Sequence, residues 1–336
     1  MKIESLKSTK VYDTYWNFAY ERQEIFFRRL AKQEMPWTTD EILALYKFTN
    51  AYRASDRVSQ YLIRNVIYSN QYFTDEDILF RILMFKLFNK IETWEYMEQK
   101  LGAISYKEFD YETYDELLMR RIKSGERIYS AAYIMPSGKE YFGNSKKHQN
   151  NLKLLEYMMR SKIGVKVAKS KSLKDLYNML LSYPTLGSFL AYQFAVDINY
   201  SELCDFDEMS FIVAGPGAKN GISKCFGNIK AYQYEDIIKM VAENQEEEFE
   251  KRGLRFQTLF GRRLQLIDCQ NLFCETDKYA RVKHPDIKGR SNRTRIKQKY
   301  QNKGKEAIIP FYPPKWGING VIRQKMSCIT QDIMVQ

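Results

Sequence analysis

Hydrophobic residues recur at helical spacing through most of the first 194 residues of the chain. In "NFAYERQEIFFRRLAKQE", Phe18, Ile25, Phe26 and Leu30 fall near a period of 3.6 residues. Two further segments, "TTDEILALYKFTNAYRASDRVSQYLIRNVIY" and "TDEDILFRILMFKLFN", contain the Thr-Asp-Glu sequence that is typical of a helix start. The second is apolar on nearly every side, which indicates a buried helix. The pattern predicts a mainly α fold.

The helical pattern continues through "IETWEYMEQKLG", "YETYDELLMRRIKSG" and "NNLKLLEYMMRSK", with two interruptions. Loose alternation around "PSG" in "RIYSAAYIMPSGKEYFGN" predicts a small β-hairpin inserted among the helices. Farther along, "FIVAGPGAKNGISKCFG" suggests a short strand followed by a glycine-rich loop. We expect one helical domain over residues 1–275, with lobes at 1–150 and 151–275 as an option. A basic tail (276–320) would pack on it, and residues 321–336 are left unassigned.

Positive charge is concentrated in the basic tail. Of the formal charge of +12, the 28 residues from Lys278 to Lys305 contribute +10, because 11 Lys or Arg face the single acid Asp286. Such a segment repels itself unless a polyanion is present, and its interspersed Tyr279 and Tyr300 are suited to base stacking. Solvated charge is the alternative explanation. The charge distribution favours DNA as the partner.

Composition excludes several classes of protein. A hydrophobic content of 44% argues against global disorder, and no segment is long and apolar enough to span a membrane. Five scattered cysteines without a CxxC pair, and only two histidines, argue against a zinc site and for reduced thiols. We expect no metal and no required cofactor. The expected location is the cytoplasm of a bacterial or phage-infected cell, or the nucleus if the source is eukaryotic.

The segment "KDLYNMLLSYPTLGSFLAYQFAVDINYS" has the layout of a helix-hairpin-helix unit. Gly187 and Ser188 would open the second helix, whose N-terminus can bind a DNA phosphate. Thr185 stands where such hairpins usually carry glycine. Asp197, ten residues after Gly187, lies among apolar residues and must find a partner or change its pKa. The alternatives of a plain connector and of a capping aspartate remain open.

Arginines on the first helices form a second candidate site. Arg22 and Arg29 are seven residues apart, and Arg53 and Arg57 are four apart, so each pair would share a helix face. Asp56 lies beside the second pair, and Asn50 precedes it by one turn. Arginine forks bind phosphate and pyrophosphate well. Ion pairs that join two helices are the alternative.

The glycine-rich segment "AGPGAKNGISKCFG" is a weaker candidate. Its backbone N–H groups around Gly215 and Gly217, with Lys219 nearby, would suit an anion. Its spacing matches neither a P-loop nor a dinucleotide fingerprint, and a structural loop is the alternative. The residues assigned to the DNA backbone are Gly187, Ser188, Gly215, Gly217, Lys219, Arg290, Arg293, Arg295 and Lys297.

Taken in order, several segments resemble the α-glutamyl/putrescinyl thymine pyrophosphorylase group and the related helical domain of 5-hydroxymethyldeoxyuridine DNA kinases. These segments are "WNFAYERQEIFFRRL", "PWTTDEILALYKFTNAYRASDRVSQYLIRNV", "TLGSFLAYQFAVDINYS", "FIVAGPGAKNGISKCF", "LFCETDKYARV" and "PPKWGI". The resemblance implies a helix-hairpin-helix fold similar to DNA glycosylases, and action on a thymine-derived base in DNA. The positions that match the family's motifs are Arg22, Arg29, Trp37, Asp40, Asn50, Arg53, Asp56, Arg57, Asp197, Gly215, Gly217, Lys278 and Tyr279.

From this resemblance we expect an enzyme that flips a 5-hydroxymethyluracil-derived base and replaces its 5-pyrophosphate with an amine or amino-acid co-substrate. The expected catalytic residues are Asp197, Asp56 and Lys278. The expected pyrophosphate-binding residues are Arg22, Arg29, Trp37, Asn50, Arg53, Arg57 and Tyr279. No GxxxxGK[ST] sequence occurs in the chain, so a separate DNA kinase is an expected partner. The alternatives are a monofunctional glycosylase and a non-catalytic DNA-binding partner of that kinase.

Overall fold

Most of the helices predicted from hydrophobic spacing are present in the structure, a computed structural model that describes residues 6–131, 135–229, 231–302 and 309–334. The described residues are mainly helical and contain no β-strand, only isolated backbone bridges. None of the helices in these ranges is long and apolar enough to cross a membrane. In chain order the helices are α1 (Lys10–Leu30), α2 (Glu41–Leu45), α3 (Arg57–Tyr61), α4 (Asp75–Phe88), α5 (Ile91–Leu101), α6 (Tyr111–Lys123), α7 (Lys139–Phe142), α8 (Lys147–Arg160), α9 (Ile163–Lys169), α10 (Leu173–Leu181), α11 (Ser188–Ile198), α12 (Pro216–Cys225), α13 (Tyr234–Glu243), α14 (Gln245–Glu250), α15 (Leu266–Lys283) and α16 (Asn319–Met334).

The chain forms two compact units. Unit 1 combines residues 1–56 with 212–336, and unit 2 consists of residues 57–211. These units do not coincide with the lobes 1–150 and 151–275 that the sequence suggested. The sequence pattern missed the division because the N-terminal helix α1 packs with α12 and α15, from the far end of the chain.

Helix α4 is the centre of unit 2 and packs against α8, α9 and α11. Thr74 and Asp77 form a reciprocal capping box at its start, and Asn89 ends it in the left-handed conformation with φ 48°. Every residue from 79 to 88 is buried, including Arg81 and Lys86. The nearly all-round apolar pattern therefore predicted the burial of this helix correctly.

Close approach of α12 to α15 organises unit 1. A Cβ atom placed on Gly221 would lie 2.0 Å from the Phe273 carbonyl oxygen, and one on Gly217 would lie 2.9 Å from Cys274 Sγ. Only glycine therefore allows the two helices to approach this closely at these positions. The prediction of a short strand and a glycine-rich loop at 211–227 was wrong, because residues 211–215 form no strand and residues 216–225 form α12, with Pro216 in its first turn.

The long helix predicted over residues 38–68 is interrupted. Helix α2 ends at Leu45, a single 3₁₀ turn spans Arg53–Ser55, and helical structure resumes at Arg57. Asn50 competes locally with a helix, because its backbone N–H donates to Asp56 Oδ1 and its side-chain amide donates to the Ser55 carbonyl. Arg53 and Arg57 therefore do not share one helix face.

The predicted β-hairpin at 127–144 was wrong in its second arm. Residues 139–142 form the short helix α7, flanked by Gly138 and Gly143 in the left-handed conformation. Asn150 stabilises this arrangement because its side-chain amide donates to the carbonyls of Ser137 and Asn144. Residues 132–134 lie outside the described residues.

The predicted basic tail begins inside a helix, because α15 continues to Lys283. The following described stretch, 284–302, contains no helix and runs along unit 1. Its backbone pairs with the end of α2, where Lys47 N donates to the Gln298 carbonyl at 3.0 Å and Tyr300 N donates to the Leu45 carbonyl at 2.9 Å. The previously unassigned C-terminal residues form α16, up to residue 334.

Candidate pyrophosphate and nucleic-acid sites

The segment 47–56 of unit 1, which contains no α-helix, carries the main candidate site. Helices α1 and α15 fix this segment from two sides. Arg22 Nε of α1 donates to the Thr49 carbonyl at 2.8 Å, and Thr49 N donates to Glu275 Oε2 of α15 at 2.9 Å. Lys278 Nζ donates to the Lys47 carbonyl at 2.8 Å. The segment thus has a defined conformation although its only helical part is the 3₁₀ turn Arg53–Ser55.

Three predicted residues, Arg22, Asn50 and Asp56, meet in this segment. Arg22 Nη2 donates to Asn50 Oδ1 at 2.9 Å, and Asn50 N donates to Asp56 Oδ1 at 2.7 Å. All three side chains are half-buried. A guanidinium has five N–H donors, and these two bonds within the chain use only Nε and one of the terminal groups. The remaining N–H donors of Arg22 suit an anionic ligand.

Burial raises the pKa of Asp56 to about 7, and the negative charge of Glu275 acts in the same direction. The Asn50 N–H and the charges of Arg22 and Arg53 oppose this rise. Burial likewise lowers the pKa of Arg22. A carboxyl group with a pKa near neutrality can accept or return a proton under physiological conditions, as a general base or acid requires.

Arg29 adds a second positive charge near Arg22 on the same helix. Its guanidinium lies 4.9 Å from the centre of the Trp37 ring, so Trp37 positions it by a cation–π contact. The positive charge of Arg29 contributes to the lowered pKa of Arg22, which indicates that the two groups repel each other. A bound anion would relieve this repulsion. The predicted pair Arg22 and Arg29 therefore forms a candidate anion site.

Three further predicted residues of unit 1, Arg53, Lys278 and Tyr279, make contacts that stabilise the site. Arg53 is buried, and its charge faces the carboxyl groups of Asp56 and Asp268. Lys278 Nζ pairs with Glu275 at 2.7 Å, and the buried Tyr279 donates from its hydroxyl group to Asp40, the N-terminal cap of α2. These contacts suit residues that hold the site in position. A catalytic role for Lys278 stays a prediction.

Two predicted residues, Arg57 and Asp197, lie in unit 2. Arg57 is exposed, with Nη1 3.7 Å from Glu92 Oε1. Asp197 is almost completely buried, and its Oδ2 lies 2.5 Å from Lys86 Nζ, which is equally buried. This ion pair explains how Asp197 is accommodated among apolar side chains. The geometry gives Asp197 a structural partner, and its catalytic role stays a prediction.

The turn between α10 and α11 in unit 2 joins two helices where the sequence predicted them. Gly187 and Ser188 are exposed at the start of α11, and Gly187 supplies no side-chain cap. Thr185 has φ 68°, the left-handed region that favours glycine. Thr185 therefore has a backbone conformation that is uncommon for a residue other than glycine. Phosphate binding by Gly187 and Ser188 stays a prediction.

The glycine-rich segment is used for packing. Gly215 is buried, and its N–H donates to Gln270 Oε1 at 3.0 Å, while Gly217 contacts α15. Lys219 is half-buried, with Nζ 5.6 Å from the centre of the Tyr234 ring. Binding of DNA by these three residues stays a prediction, and the N–H of Gly215 already has a partner.

The basic tail presents its charges to solvent. Arg290, Arg293, Arg295 and Lys297 are all exposed, as phosphate contacts require. Two of them are tied to the fold, since Arg290 Nη1 donates to the Tyr234 hydroxyl at 2.7 Å and Arg281 donates to the Arg295 carbonyl. The stretch 284–302 of the tail therefore follows a defined path along unit 1.

With this geometry established, comparison with known proteins identifies the family. Residues 9–289 match the family model described as "5-hmdU DNA kinase, helical domain". The chain belongs to this family. The resemblance inferred from the motifs is thereby confirmed.

A relative of this helical domain is the 5-hmdU DNA kinase of Bacillus phage SP10, which is 26% identical over 288 residues. The alignment covers 80% of this chain and 45% of the relative, so the chain spans less than half of the relative's length. No solved structure matches the chain. The helix-hairpin-helix glycosylase-like fold therefore stays a prediction.

Sequence reasoning missed two residues of this helical domain that the structure makes important. Glu275 links Lys278 to Thr49, and a signal for it was the E-x-x-K spacing in "ETDK" on α15. Lys86 pairs with Asp197, and its signal was a lone positive charge in the apolar sequence "ILMFKLF". Among the described residues, no cluster of three His, Cys, Asp or Glu side chains offers a metal site.

Proposed function

We propose that this helical domain acts on a 5-hydroxymethyluracil-derived base in DNA and replaces a 5-pyrophosphate on that base with an amine or amino acid. Membership of the 5-hmdU DNA kinase helical-domain family supports the base, and the basic tail supports DNA as the polymer. One observation carries the choice of reaction. Asp56, with a pKa near 7, lies in the same cluster as two mutually repelling arginines, Arg22 and Arg29.

The proposed reaction assigns a separate task to each part of this cluster. The bond between the 5-methylene carbon and the pyrophosphate oxygen breaks while a bond forms from the amine nitrogen to that carbon. The proton lost by the amine goes to the Asp56 carboxylate. The leaving pyrophosphate gains negative charge, which Arg22 and Arg29 stabilise. Because pyrophosphate is already a good leaving group, the reaction needs no metal ligand from the cluster.

The remaining residues of the cluster keep these groups in position. Asn50 connects Arg22 to Asp56 through two hydrogen bonds, and Glu275 holds the backbone of Thr49. Trp37 orients the Arg29 guanidinium. Small displacements of reacting groups lower rates strongly, so substitution of these residues should reduce turnover without removing the chemistry.

The two alternatives receive less support from the geometry. A glycosylase that uses Asp197 would need this carboxylate near the sugar, and its Oδ2 is paired with the buried Lys86. A non-catalytic DNA-binding partner would need the basic tail but gives no reason for a carboxyl group with a pKa near 7 beside two arginines. No described contact favours either alternative over base modification.

The test is a reaction with DNA that contains pyrophosphorylated 5-hydroxymethyluracil, with and without candidate amines. We expect pyrophosphate release that depends on the amine, together with a mass increase of the base that equals the bound amine. An exposed carboxylate of unit 1 provides the matched control, and the variant Glu34→Gln should react at the wild-type rate.

Other outcomes of this experiment identify the alternatives. Abasic sites that form without amine would indicate the glycosylase. Salt-sensitive DNA binding without any product, lost on deletion of residues 283–305, would indicate the binding module. No pyrophosphate release with any amine would contradict the proposed reaction.

A further inference from the structure

A groove of about 710 Å³ opens in unit 2 beside the α10–α11 turn, and the proposed reaction does not use it. Its walls are Tyr141 and Phe142 of α7, Tyr157 of α8 and residues 181–187 of the turn. We call it the turn groove. All of its walls belong to unit 2, so its shape is a property of that unit alone.

Two aromatic rings of the turn groove face solvent. The side chain of Tyr141 is 65% exposed and that of Tyr157 is 50% exposed. A third ring, Tyr183, forms a fixed wall, because its hydroxyl group lies 2.7 Å from Ser161 Oγ and 3.1 Å from Lys166 Nζ. Two half-free rings beside one fixed ring make a surface on which flat, aromatic ligands can stack.

A run of positively charged residues lies close to the turn groove in sequence, and one of them, Lys166, contacts its wall residue Tyr183. Residues 157–174 contain six Lys or Arg and no Asp or Glu, although the chain outside the basic tail has little net charge. The side chains are exposed, and Lys166 connects this run to the groove through Tyr183. The six residues are Arg160, Lys162, Lys166, Lys169, Lys171 and Lys174. The ligand that suits this surface is therefore aromatic and anionic.

We propose that the turn groove binds a single-stranded segment of nucleic acid, with bases stacked on Tyr141 and Tyr157 and phosphates near the lysines of residues 162–174. Stacking rings beside a basic track are the arrangement by which proteins bind unpaired strands without reading sequence. Paired bases cannot present their faces to tyrosine rings, so the groove discriminates against duplex. This binding is additional to the proposed reaction of unit 1 and does not depend on it.

The first test compares binding of an oligothymidine strand and of a hairpin duplex by fluorescence anisotropy. The 336-residue chain with Arg293→Gln, Arg295→Gln and Lys297→Gln serves as background, because the tail would otherwise dominate the affinity. On this background, Tyr141→Ala with Tyr157→Ala should weaken binding of the single strand about tenfold or more, from stacking energies of roughly 1–3 kcal/mol per base. Binding of the duplex should change less than twofold.

Two control variants separate stacking from other effects. Tyr141→Phe with Tyr157→Phe keeps both rings and should bind the single strand within twofold of the background. Tyr72 is 92% exposed, belongs to unit 2 and lies outside the groove, so Tyr72→Ala should also leave binding unchanged. Because all of these side chains are half or more exposed, circular dichroism should show the same helical content for each variant.

The second test locates the contact directly. A strand with 5-iodo-deoxyuridine is irradiated in the complex, and the cross-linked peptide is identified by mass spectrometry. We expect the cross-link at Tyr141 or Tyr157. Cross-links confined to residues outside the groove, or a double-alanine variant that binds within twofold of the background, would overturn the proposal. The latter result is also expected if the groove binds a peptide of a partner protein.

Discussion

Asp56 of unit 1 and Asp197 of unit 2 are both carboxylates in a largely apolar environment, yet they differ in burial and in their partners. Asp197 is enclosed by buried residues and lies 2.5 Å from the buried Lys86. Asp56 is half-buried, and its Oδ1 accepts a hydrogen bond from the Asn50 backbone N–H. The positive charges that act on its carboxyl group are those of Arg22 and Arg53. The charge of Asp197 has an adjacent ammonium group, whereas burial raises the pKa of Asp56 to about 7.

This difference separates a carboxylate that suits structure from one that suits chemistry. A buried pair such as Lys86 and Asp197 is costly to break and cannot easily exchange protons with a ligand. A half-buried carboxyl group with a pKa near neutrality can exchange protons, and Arg22 beside it has donors to offer. The apolar sequence around Asp197 made it the leading catalytic candidate, a role that stays a prediction. The functional proposal therefore rests on Asp56.

Breaking the buried pair should have the largest effect on stability. Lys86→Met leaves Asp197 buried without its adjacent ammonium group, and we expect it to lower the free energy of unfolding by about 3–5 kcal/mol. Asp197→Leu should cost about the same. The double variant should recover most of the loss, because it leaves no unpaired charge. Urea unfolding of the four proteins measures the coupling, and additive single effects would contradict the pairing.

Asp56 should make stability depend on pH in a defined direction. Its folded pKa of about 7 lies above the unfolded value, so the folded protein binds the additional proton. The resulting stabilisation is full below pH 4 and disappears as the pH rises to about 7. Because Asp56 is partly exposed to solvent, we expect its contribution to the free energy of unfolding to be roughly 2–3 kcal/mol.

Asp56→Asn isolates this contribution because it keeps the oxygen that accepts the Asn50 N–H. The variant should therefore gain stability relative to wild type as the pH rises from 4 to 8, in urea unfolding at each pH. A difference between the two proteins that stays constant over this range would show that Asp56 has an ordinary pKa.

Arg29→Gln should have the smallest effect on folding. The substitution removes the repulsion with Arg22, which stabilises the fold, and loses the contact with the Trp37 ring, which destabilises it. Each effect changes the free energy of unfolding by about 0.5–1 kcal/mol. We expect unfolding free energy to change by less than about 0.5 kcal/mol, while calorimetry shows inorganic pyrophosphate binding about tenfold more weakly. Unchanged pyrophosphate affinity would remove Arg29 from the anion site.

Local sequence predicted much of the helical framework. The capped and continuously apolar α4 needed only its own residues, and the helices around "IETWEYMEQKLG" and "YETYDELLMRRIKSG" likewise follow their hydrophobic spacing. The segment 47–56 could not be predicted in this way. Its conformation depends on Arg22 and on Glu275, which lies 226 residues from Thr49 in sequence.

The site was predictable in its residue types and less so in its arrangement. Helical spacing put Arg53 and Arg57 on one face, but the break at Asn50 leaves Arg53 buried in unit 1 and Arg57 exposed in unit 2. The pattern around Asp197 indicated that it needs a partner and did not name Lys86. The wrong prediction for Arg53 and Arg57 and the unidentified partner of Asp197 have one cause, because partners distant in sequence decide which polar group is enclosed.

The rate of pyrophosphate release from modified DNA, in the presence of amine and across pH 5–9, tests the central role of Asp56 most directly. In single-turnover conditions the wild-type rate should rise through pH about 7 as Asp56 loses its proton, and then level off. Asp56→Asn should react about 10²–10⁴ times more slowly, without this rise. An Asp56→Asn variant that is folded and matches the wild-type rate and pH profile would contradict the account.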